Sequence, residues 1–359
     1  MSSLPVDERV PAGASGQWPP DNLEPVSACP VCGAAERSVL WDGLTDRVFG
    51  AAPGTWTLLR CAGCASAYLD PRPTPASIGR AYDVYYTHGD DADAVPRLAL
   101  HDLRQALAND HLRARWGYDV KPARLGGRQL ARLLRLRGAT ADREVRHLPA
   151  RPGGRLLDVG CGTGAAVARM RALGWNAEGL DPDPEAIGVA ERAGIRVTRG
   201  TLADLDDAAH ANAFDAITLS HVIEHLHDPA AELERIHRLL KPGGLLWIAT
   251  PNLESLGHRR FGPDWVGLDP PRHLVLFTTA SLAGLLRRTG FEPEPSPTPA
   301  PMAWVPFSQS AAVRDGRRTG EGPARGRRRL RALAIAADRL AARDPRRADE
   351  LVMVARCGV

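Results

Sequence analysis

The chain has 359 residues, of which 44% are hydrophobic and 25% are charged, which excludes a disordered or fibrous protein for most of its length. It contains no run of 18 apolar residues, and its start is polar and proline-rich. A transmembrane span and a secretory leader are therefore not expected, and a cytoplasmic location is favoured. The formal net charge is +4, so composition gives only weak support for a polyanionic partner.

The chain begins with a segment rich in Pro, Gly and Ser, residues 1–26, for which we predict a disordered lead-in. Two Cys-x-x-Cys pairs follow, with 28 residues between them. Four thiolates at this spacing are typical of a tetrahedral zinc ribbon. A disulfide pair would need an oxidising compartment, and a redox dithiol would need a thioredoxin-like strand and helix beside it. We therefore predict a zinc-binding module over residues 27–75 with a structural Zn²⁺ that takes no part in catalysis. Its ligands are Cys29, Cys32, Cys61 and Cys64.

Leucines recur at spacings of three and four between positions 98 and 134, which predicts amphipathic helices and a helical lid or linker over residues 76–150. From residue 151 onwards, short β-rich runs alternate with helical runs. This alternation predicts an α/β fold with a mostly parallel doubly wound sheet over residues 151–359. An Arg-dense helical insertion is expected at about 306–347, before a last strand. The predicted strands are RLLDV, NAEGLD, IRVT, FDAITLS, LLWIAT and ELVMVARC.

The run RLLDVGCGTG places a predicted strand directly before Gly160, Gly162 and Gly164. Glycines at such a turn let the backbone approach a ligand closely. About 20 residues further on, Asp181 ends the next strand, where a carboxylate can accept both hydroxyls of a ribose. The alternative is that Asp181 caps the following helix. The spacing differs from the G-x-G-x-x-G of dinucleotide sites, and the residues alone leave dehydrogenase and methyltransferase chemistry open.

Five longer runs occur in one characteristic order and spacing: LLDVGCGTG, GLDPDPEAI, FDAITLSHVIEHLHDP, LLKPGGLLWIATPN and TTASLAGLLRRTGF. In these runs, over about residues 150–295, the chain resembles class I S-adenosylmethionine-dependent methyltransferases. It is most similar to the bacterial group that includes ubiquinone-pathway O-methyltransferases and sugar and natural-product methyltransferases. The resemblance implies a Rossmann-like sheet of seven strands, the last antiparallel, and S-adenosylmethionine as cofactor.

The resemblance also implies roles for individual residues. Asp158 would lie near the amino group of the methionine part, and Ser220 beneath that part. Asp181 would bind the ribose. Thr201 and Leu202 would lie at the adenine, although family members often have an acid in place of Thr201. The implied cofactor-binding residues are Asp158, Gly160, Gly162, Gly164, Asp181, Thr201, Leu202 and Ser220.

The stretch SHVIEHLHDP contains His221, Glu224 and His225 in the H-x-x-E-H pattern of inverted zinc-protease helices. A protease helix is not expected, because the motif follows a strand end and precedes Asp228-Pro229, which is a typical helix start. Three roles stay open for this turn. It could bind a divalent metal ion, as the corresponding turn does in ubiquinone-pathway relatives. Glu224 and His225 could pair and brace the turn, or the turn could supply a catalytic base.

The segment FGPDWVGLDPPRHLVLF follows the fifth strand of the predicted sheet, at the connection that commonly covers the substrate in this fold. Trp265, Arg272 and His273 are residues that a polar ligand pocket would use. A histidine here can accept the proton that a hydroxyl loses during methyl transfer, and packing of the loop onto the sheet is the alternative. The predicted catalytic residues are His273, His225 and Glu224.

We expect a methyltransferase that acts on a small molecule or on a glycan or sugar intermediate by in-line transfer, without membrane insertion. An RNA methyltransferase that holds RNA with the zinc module and the Arg-rich segment is the alternative, although that segment has no aromatic residue for stacking bases. A non-catalytic scaffold is a third hypothesis. Tyr85 and Tyr86 resemble a tyrosine-rich segment found ahead of the glycine loop in this group, and are expected as lid residues or as packing on the module.

Overall fold

The computed structural model describes residues 16–82, 99–123, 126, 135–317, 319, 322–323 and 325–358, with the backbone alone for residues 99–104 and 135–137. Tyr85 and Tyr86, the predicted lid residues, lie outside the described residues, as do residues 1–15 of the predicted lead-in. In the described part of the chain, no helix is long and apolar enough to cross a membrane.

Residues 16–26 pack against the rest of the protein, so the prediction of a disordered lead-in up to residue 26 is wrong for this part. Trp18 is buried, with its ring centroid 5.6 Å from that of Trp56. Strand β1 (Leu23–Glu24) pairs antiparallel with strand β5 (Arg72–Pro73). One buried tryptophan and a two-residue strand leave no hydrophobic period in the sequence, which is why composition misled the prediction.

The cysteine module is built on a four-stranded antiparallel sheet, made of β2 (Arg37–Leu44), β3 (Trp56–Cys61), β4 (Ala67–Leu69) and β11 (Val275–Leu276). The order is β11-β4-β3-β2, so β11 is an edge strand. It comes from a segment far along the chain, and Val275 pairs with Tyr68 in the module. Sequence reasoning did not find β11. A segment from the second half of the chain therefore completes the sheet of the N-terminal module.

The second half of the chain forms a seven-stranded sheet in the order β12-β13-β10-β9-β6-β7-β8. Strand β13 runs antiparallel to both of its neighbours, and β8, β7, β6, β9 and β10 are mutually parallel. The expected doubly wound sheet with an antiparallel last strand is confirmed. The strands are β6 (Arg155–Val159), β7 (Asn176–Asp181), β8 (Val197–Arg199), β9 (Phe214–Ser220), β10 (Leu240–Pro251), β12 (Phe291–Pro293) and β13 (Glu350–Cys357).

Helices flank the sheet and extend beyond it. Those in the described residues are α1 (Ala99–Trp116), α2 (Arg135–Glu144), α3 (Ala165–Ala172), α4 (Pro184–Arg192), α5 (Asp207–His210), α6 (Pro229–Leu239), α7 (Leu256–Phe261), α8 (Thr279–Arg288), α9 (Trp304–Arg314) and α10 (Arg327–Ala341). The last two lie in the predicted helical insertion.

The seven-stranded sheet is buried on both faces. Leu157 and Ile248 belong to one hydrophobic cluster, which continues into the cysteine module at Leu58. Leu156 and Trp247 belong to a second cluster, to which α1 and α2 contribute. Burial on both faces explains why these strands read as nearly continuous apolar runs. The parallel strands end at one common edge, where ligand sites form in sheets of this kind.

Candidate functional site

The glycine loop connects β6 to α3 at the carboxyl edge of the sheet. Gly160, Gly162 and Gly164 have φ angles of 65°, 55° and 77°, which side chains rarely allow. A Cβ at Gly160 would collide with the side chain of Val222, so the loop lies directly against the turn after β9. A Cβ at Gly162 would meet no atom within 4 Å. The loop is therefore packed against the protein at Gly160 and leaves open space at Gly162, where a ligand can approach the backbone.

Asp181 ties the glycine loop to the end of β7. The Gly162 N–H donates to its Oδ2 at 2.7 Å, and the Asp183 N–H donates to its Oδ1 at 2.9 Å. The helix cap belongs to Asp183, whose side chain accepts from the Glu185 N–H, so the interpretation of Asp181 as the cap is wrong. Each oxygen of Asp181 keeps a second lone pair, which a ribose hydroxyl can use.

Asp158, near the end of β6, is buried beside a cation that sequence reasoning missed. Its carboxylate accepts from the Thr218 hydroxyl and lies 3.9 Å from the guanidinium of Arg146. Burial raises the pKa of Asp158 above its usual range, and the charge of Arg146 opposes this rise. Arg146 itself stacks over the ring of Trp247, 4.4 Å from the centroid. An acid and a cation therefore lie side by side next to the glycine loop.

The predicted adenine segment lies next to the predicted ribose residue. The Gly200 N–H donates to the carbonyl oxygen of Asp181 at 2.9 Å. Thr201 then begins a short 3-10 helix, Leu202–Asp204, in which Asp204 accepts from the Thr201 N–H at 2.7 Å. The Thr201 hydroxyl also donates to Asp204, at 2.9 Å. Leu202 itself is buried.

The turn after β9 contains a chain of charged groups. Both ring nitrogens of His221 contact carboxylates, Nδ1 with Glu224 at 3.2 Å and Nε2 with Glu350 at 3.0 Å. Glu350 also accepts two hydrogen bonds from Arg143, and Glu224 accepts one from Thr250. Of the three roles left open for this turn, a brace is present, but Glu224 forms it with His221 rather than with His225. His221 has a left-handed backbone, with φ 55°, and keeps 45% of its side chain exposed.

These contacts change the protonation of the turn. Partial burial of the ring acts to lower the pKa of His221, but the hydrogen bonds to Glu224 and Glu350 outweigh it and raise that pKa to about 10. Burial likewise raises the pKa of Glu224, and the bond to His221 reverses this and lowers it to about 2. His221 is thus a cation that holds two carboxylates in place, and it is not free to act as a base or a metal ligand.

His225 and His273 present a different arrangement. Nδ1 of His225 lies 2.9 Å from the carbonyl oxygen of Arg272 and 3.0 Å from the Tyr82 hydroxyl, while Nδ1 of His273 lies 2.9 Å from the carbonyl oxygen of Gly267. A carbonyl oxygen can only accept, so Nδ1 carries a proton in both rings, and the lone pair of a neutral ring is then on Nε2. Burial, with His273 alongside, lowers the pKa of His225 to about 4.

The three predicted catalytic residues lie close together. One nitrogen of His225, one nitrogen of His273 and one oxygen of Glu224 lie within 4.8 Å of one another, and the two imidazole centroids are 4.9 Å apart. Imidazole nitrogens beside a carboxylate are groups that can accept a proton, and the same set meets the needs of a divalent cation. As a possible metal ligand in this set, His273 takes the place of His221 from the H-x-x-E-H turn.

Trp265 and Arg272, which we expected in a ligand pocket, are engaged in buried contacts. Trp265 is buried and donates from Nε1 to Asp349 at 3.2 Å. Arg272 is 0% exposed and forms ion pairs with Asp46 and Asp269, each at 2.6 Å. The prediction of a pocket role for these two side chains is therefore wrong. Local sequence could not reveal the Asp46 contact, because the two residues are 226 positions apart.

The four cysteines of the N-terminal module converge. The Sγ atoms of Cys29 and Cys64 are 3.7 Å apart, those of Cys32 and Cys61 are 3.4 Å apart, and all four lie within 4.8 Å of one another. A tetrahedral zinc ion with Zn–S bonds of about 2.3 Å separates its sulfurs by about 3.8 Å. Gly33 and Ala65, directly after the two Cys-x-x-Cys pairs, both have positive φ. The turns after the two Cys-x-x-Cys pairs, here called knuckles, thus share the same backbone geometry, and four thiolates at these distances fit Zn²⁺.

Comparison with known proteins agrees with this geometry. A family model described as a methyltransferase domain matches residues 128–295. Ubiquinone biosynthesis O-methyltransferase of Cereibacter sphaeroides is 36% identical over 152 residues, which is 39% of this chain and 61% of the relative. The enzyme of the same name from Paraburkholderia phymatum is 32% identical over 149 residues, or 38% of this chain and 64% of the relative. The chain is thus similar to methyltransferases over residues 128–295, a little under half of its length.

The methyltransferase domain accounts for part of the chain only. The chain spans about 61% of the length of the first curated relatives that it matches. A methyltransferase structure from Mesorhizobium loti matches with a TM-score of 0.41 and 22% identity, covering 62% of this chain and 99% of that one. A toxoflavin-pathway N1-methyltransferase from Burkholderia thailandensis matches with a TM-score of 0.38 and 22% identity, covering 74% and 93%. The cysteine module, α9, α10 and β13 lie outside the matched family range.

Proposed function

We propose that the protein is an S-adenosylmethionine-dependent methyltransferase that methylates a hydroxyl oxygen of a small molecule or of a glycan or sugar intermediate. The observation that carries this proposal is the direct packing of Gly160 on Val222. It puts the open face of the glycine loop next to the turn that holds Glu224 and His225. A cofactor site and a set of proton-accepting groups thereby meet at one edge of the sheet. The relatives from Cereibacter sphaeroides and Paraburkholderia phymatum are named as O-methyltransferases.

The residues on the cofactor side suit the parts of S-adenosylmethionine. Asp158 and Arg146 form an acid and cation pair, which complements the ammonium and carboxylate of the methionine part. In this proposal Asp181 binds the ribose hydroxyls, and the backbone of Thr201 and Leu202 binds the adenine. Ser220 ends β9 directly before the turn. Bound there, the cofactor supplies an electrophilic methyl group on a sulfonium.

The residues on the acceptor side suit proton removal. Nε2 of His225 or of His273 takes the proton that the acceptor hydroxyl loses as its oxygen gains the methyl group. The ionised Glu224 stabilises the imidazolium that results, at the distances given above. The rest of the rate comes from holding acceptor and methyl group in line and excluding water.

A binding and transfer experiment tests this function. Calorimetry with S-adenosylmethionine and with S-adenosylhomocysteine should give saturable binding, which Asp181→Ala weakens. Transfer of a labelled methyl group should then be screened over catechols, nucleotide-sugars and total RNA. Label in a phenol or a sugar supports the proposal, and label in RNA alone favours RNA methylation instead. Wild-type protein that binds neither cofactor form would overturn the proposal.

We further propose that Cys29, Cys32, Cys61 and Cys64 bind one Zn²⁺. The convergence of the four sulfurs and the matching knuckle geometry support it. With four thiolate ligands the ion has no open position, so its contribution is to the folding of the module.

A further inference from the structure

Arg272 uses every hydrogen-bond donor of its guanidinium inside the protein. Nε and Nη2 donate to Asp269 at 2.9 and 2.6 Å, and Nη1 and Nη2 donate to Asp46 at 2.9 and 2.6 Å. Nη1 also donates to the carbonyl oxygen of Ala81 at 2.9 Å. The five donors of an arginine are thus all satisfied, in one orientation. Arg272 is therefore fixed far more strongly than a surface arginine.

Asp46 anchors this arrangement in the cysteine module. It follows β2, and its carboxylate also accepts the backbone N–H groups of Phe49, Ala51 and Ala52. Burial acts to raise the pKa of Asp46, but the bonds to Arg272 and these amides lower it overall, so the group stays ionised. The position of Arg272 is consequently set by the module as well as by its own loop.

The backbone of Arg272 contacts His225 and leads directly into His273. Its carbonyl oxygen accepts from Nδ1 of His225, at 2.9 Å. The next residue is His273, whose backbone N–H donates to the carbonyl oxygen of Asp269 at 3.1 Å. A shift of Arg272 would therefore remove from Nδ1 of His225 a partner that can only accept, and would leave the Tyr82 hydroxyl, 3.0 Å away, which can donate as well as accept. It would also move His273.

Stability alone is a poor explanation for this buried cluster. Burying a cation with two carboxylates carries a large desolvation cost, and an apolar packing of similar volume is often equally stable. The cluster does what apolar packing cannot, because it fixes the direction of one backbone carbonyl. Within the part of the chain that the structure describes, the hydrogen bonds of the Asp46 carboxylate go to Arg272 and to backbone amides of its own loop.

We propose that Asp46 is a positioning residue of the acceptor site: the cysteine module, through the Asp46–Arg272 pair, holds His225 in the tautomer whose Nε2 can accept a proton. This inference rests on the proposed function for its catalytic meaning. Its structural content, the tautomer of His225, can be measured without any acceptor.

The test compares Asp46→Asn with Asp42→Asn in the full-length, zinc-loaded protein. Asp42 is a matched control, since it lies on β2 of the same module but is exposed and bonds to Thr57 and Gly43. Each variant is checked for zinc content and for S-adenosylmethionine affinity. The imidazole nitrogens are then observed by NMR after ¹⁵N-histidine labelling, with the His225 signals assigned from their loss in His225→Gln.

We expect both variants to keep one zinc and a cofactor dissociation constant within about 2-fold of wild type. In Asp42→Asn the proton should stay on Nδ1 of His225, whereas in Asp46→Asn it should be shared between the two nitrogens. An unchanged tautomer in Asp46→Asn would overturn the inference. Should that variant fail to fold, Asp46→Glu keeps the charge but displaces it, and a wild-type tautomer there would count equally against the proposal. If wild-type protein did not bind S-adenosylmethionine, only the proposed function would be overturned, because the tautomer of His225 is measured without any cofactor.

Discussion

The guanidinium of Arg146 lies 3.9 Å from the carboxylate of Asp158, at the side of the glycine loop. A zwitterionic amino-acid group brings one charge of each sign and can pair with both. If S-adenosylmethionine binds there, Arg146→Gln should weaken its binding by about 10-fold or more, because a charged hydrogen bond contributes roughly 1.5–3 kcal/mol.

The matching control ligand is methylthioadenosine, which lacks the amino-acid part. Calorimetry on Arg146→Gln should show nearly wild-type affinity for it, and Arg169→Gln, an exposed change on α3, should leave both ligands unaffected. A parallel loss for both ligands would mean that Arg146 supports the fold of the site rather than contacting the cofactor.

Asp181 is expected to act on the nucleoside half. Asp181→Ala should weaken the binding of S-adenosylmethionine by about 10-fold or more, since it removes a charged acceptor from the ribose and the hydrogen bond to the Gly162 N–H. Unlike Arg146→Gln, it should weaken methylthioadenosine as well. Asp183→Asn preserves a helix cap and is the control. Unchanged affinity in Asp181→Ala would remove this residue from the cofactor site.

The sequence was sufficient for features that depend on neighbouring residues. The apolar runs of β6, β9 and β13 and the glycines after β6 follow from local patterning, and the structure places them as predicted. Asp181 was correctly located at the end of β7, although its bond to Gly162 was not foreseen.

Features that depend on distant pairs could not be predicted. Arg146 is one of many arginines in a helical region, and nothing in its neighbours marks it as the partner of Asp158. The Asp46–Arg272 pair joins segments 226 positions apart, and β11 has only two residues, too few for a periodic signal. The resemblance to a family located the cofactor loop but gave no guidance on the contacts of the module.

The two histidines can be separated by mutation. If His225 or His273 is the base, its change to Ala should lower kcat by about 10²–10⁴ while the affinity for S-adenosylmethionine stays near wild type. kcat, calorimetric affinity and melting temperature should be measured for both variants. A fall in all three quantities would indicate a structural histidine, and near-normal kcat in both variants would leave positioning alone to carry the transfer.

Asp349 should make stability depend on pH. Burial raises its pKa from 3.8 to about 7, although the Trp265 indole donates to it. A carboxyl with a raised pKa in the folded state contributes fully below its unfolded pKa, and that contribution is lost as the pH rises towards the folded pKa. The advantage of Asp349→Asn over wild type in melting temperature should therefore grow between about pH 4 and 7 and stay at its full size above pH 8. Thermal scans at several pH values would reveal a pH-independent difference if the carboxyl titrates normally.

Zinc should be bound at about one ion per chain in protein made under reducing, zinc-replete conditions. Cys61→Ser should lose the metal, whereas Cys357→Ser, a buried cysteine outside the cluster, should retain it. Because the module shares its sheet with β11, loss of zinc should also lower the melting temperature of the whole chain. Metal analysis and thermal scans check both statements, and zinc-free wild-type protein would contradict the first.

The pairing of Val275 with Tyr68 has a consequence for synthesis on the ribosome. The two residues are 207 positions apart, so at a translation rate of 5–20 residues per second β11 is synthesised roughly 10–40 s after β4. During that interval the nascent module exposes an unpaired strand edge, which is a template for contacts with other chains. A fragment truncated before residue 275 would keep that edge open permanently, and should self-associate even when its metal site is filled.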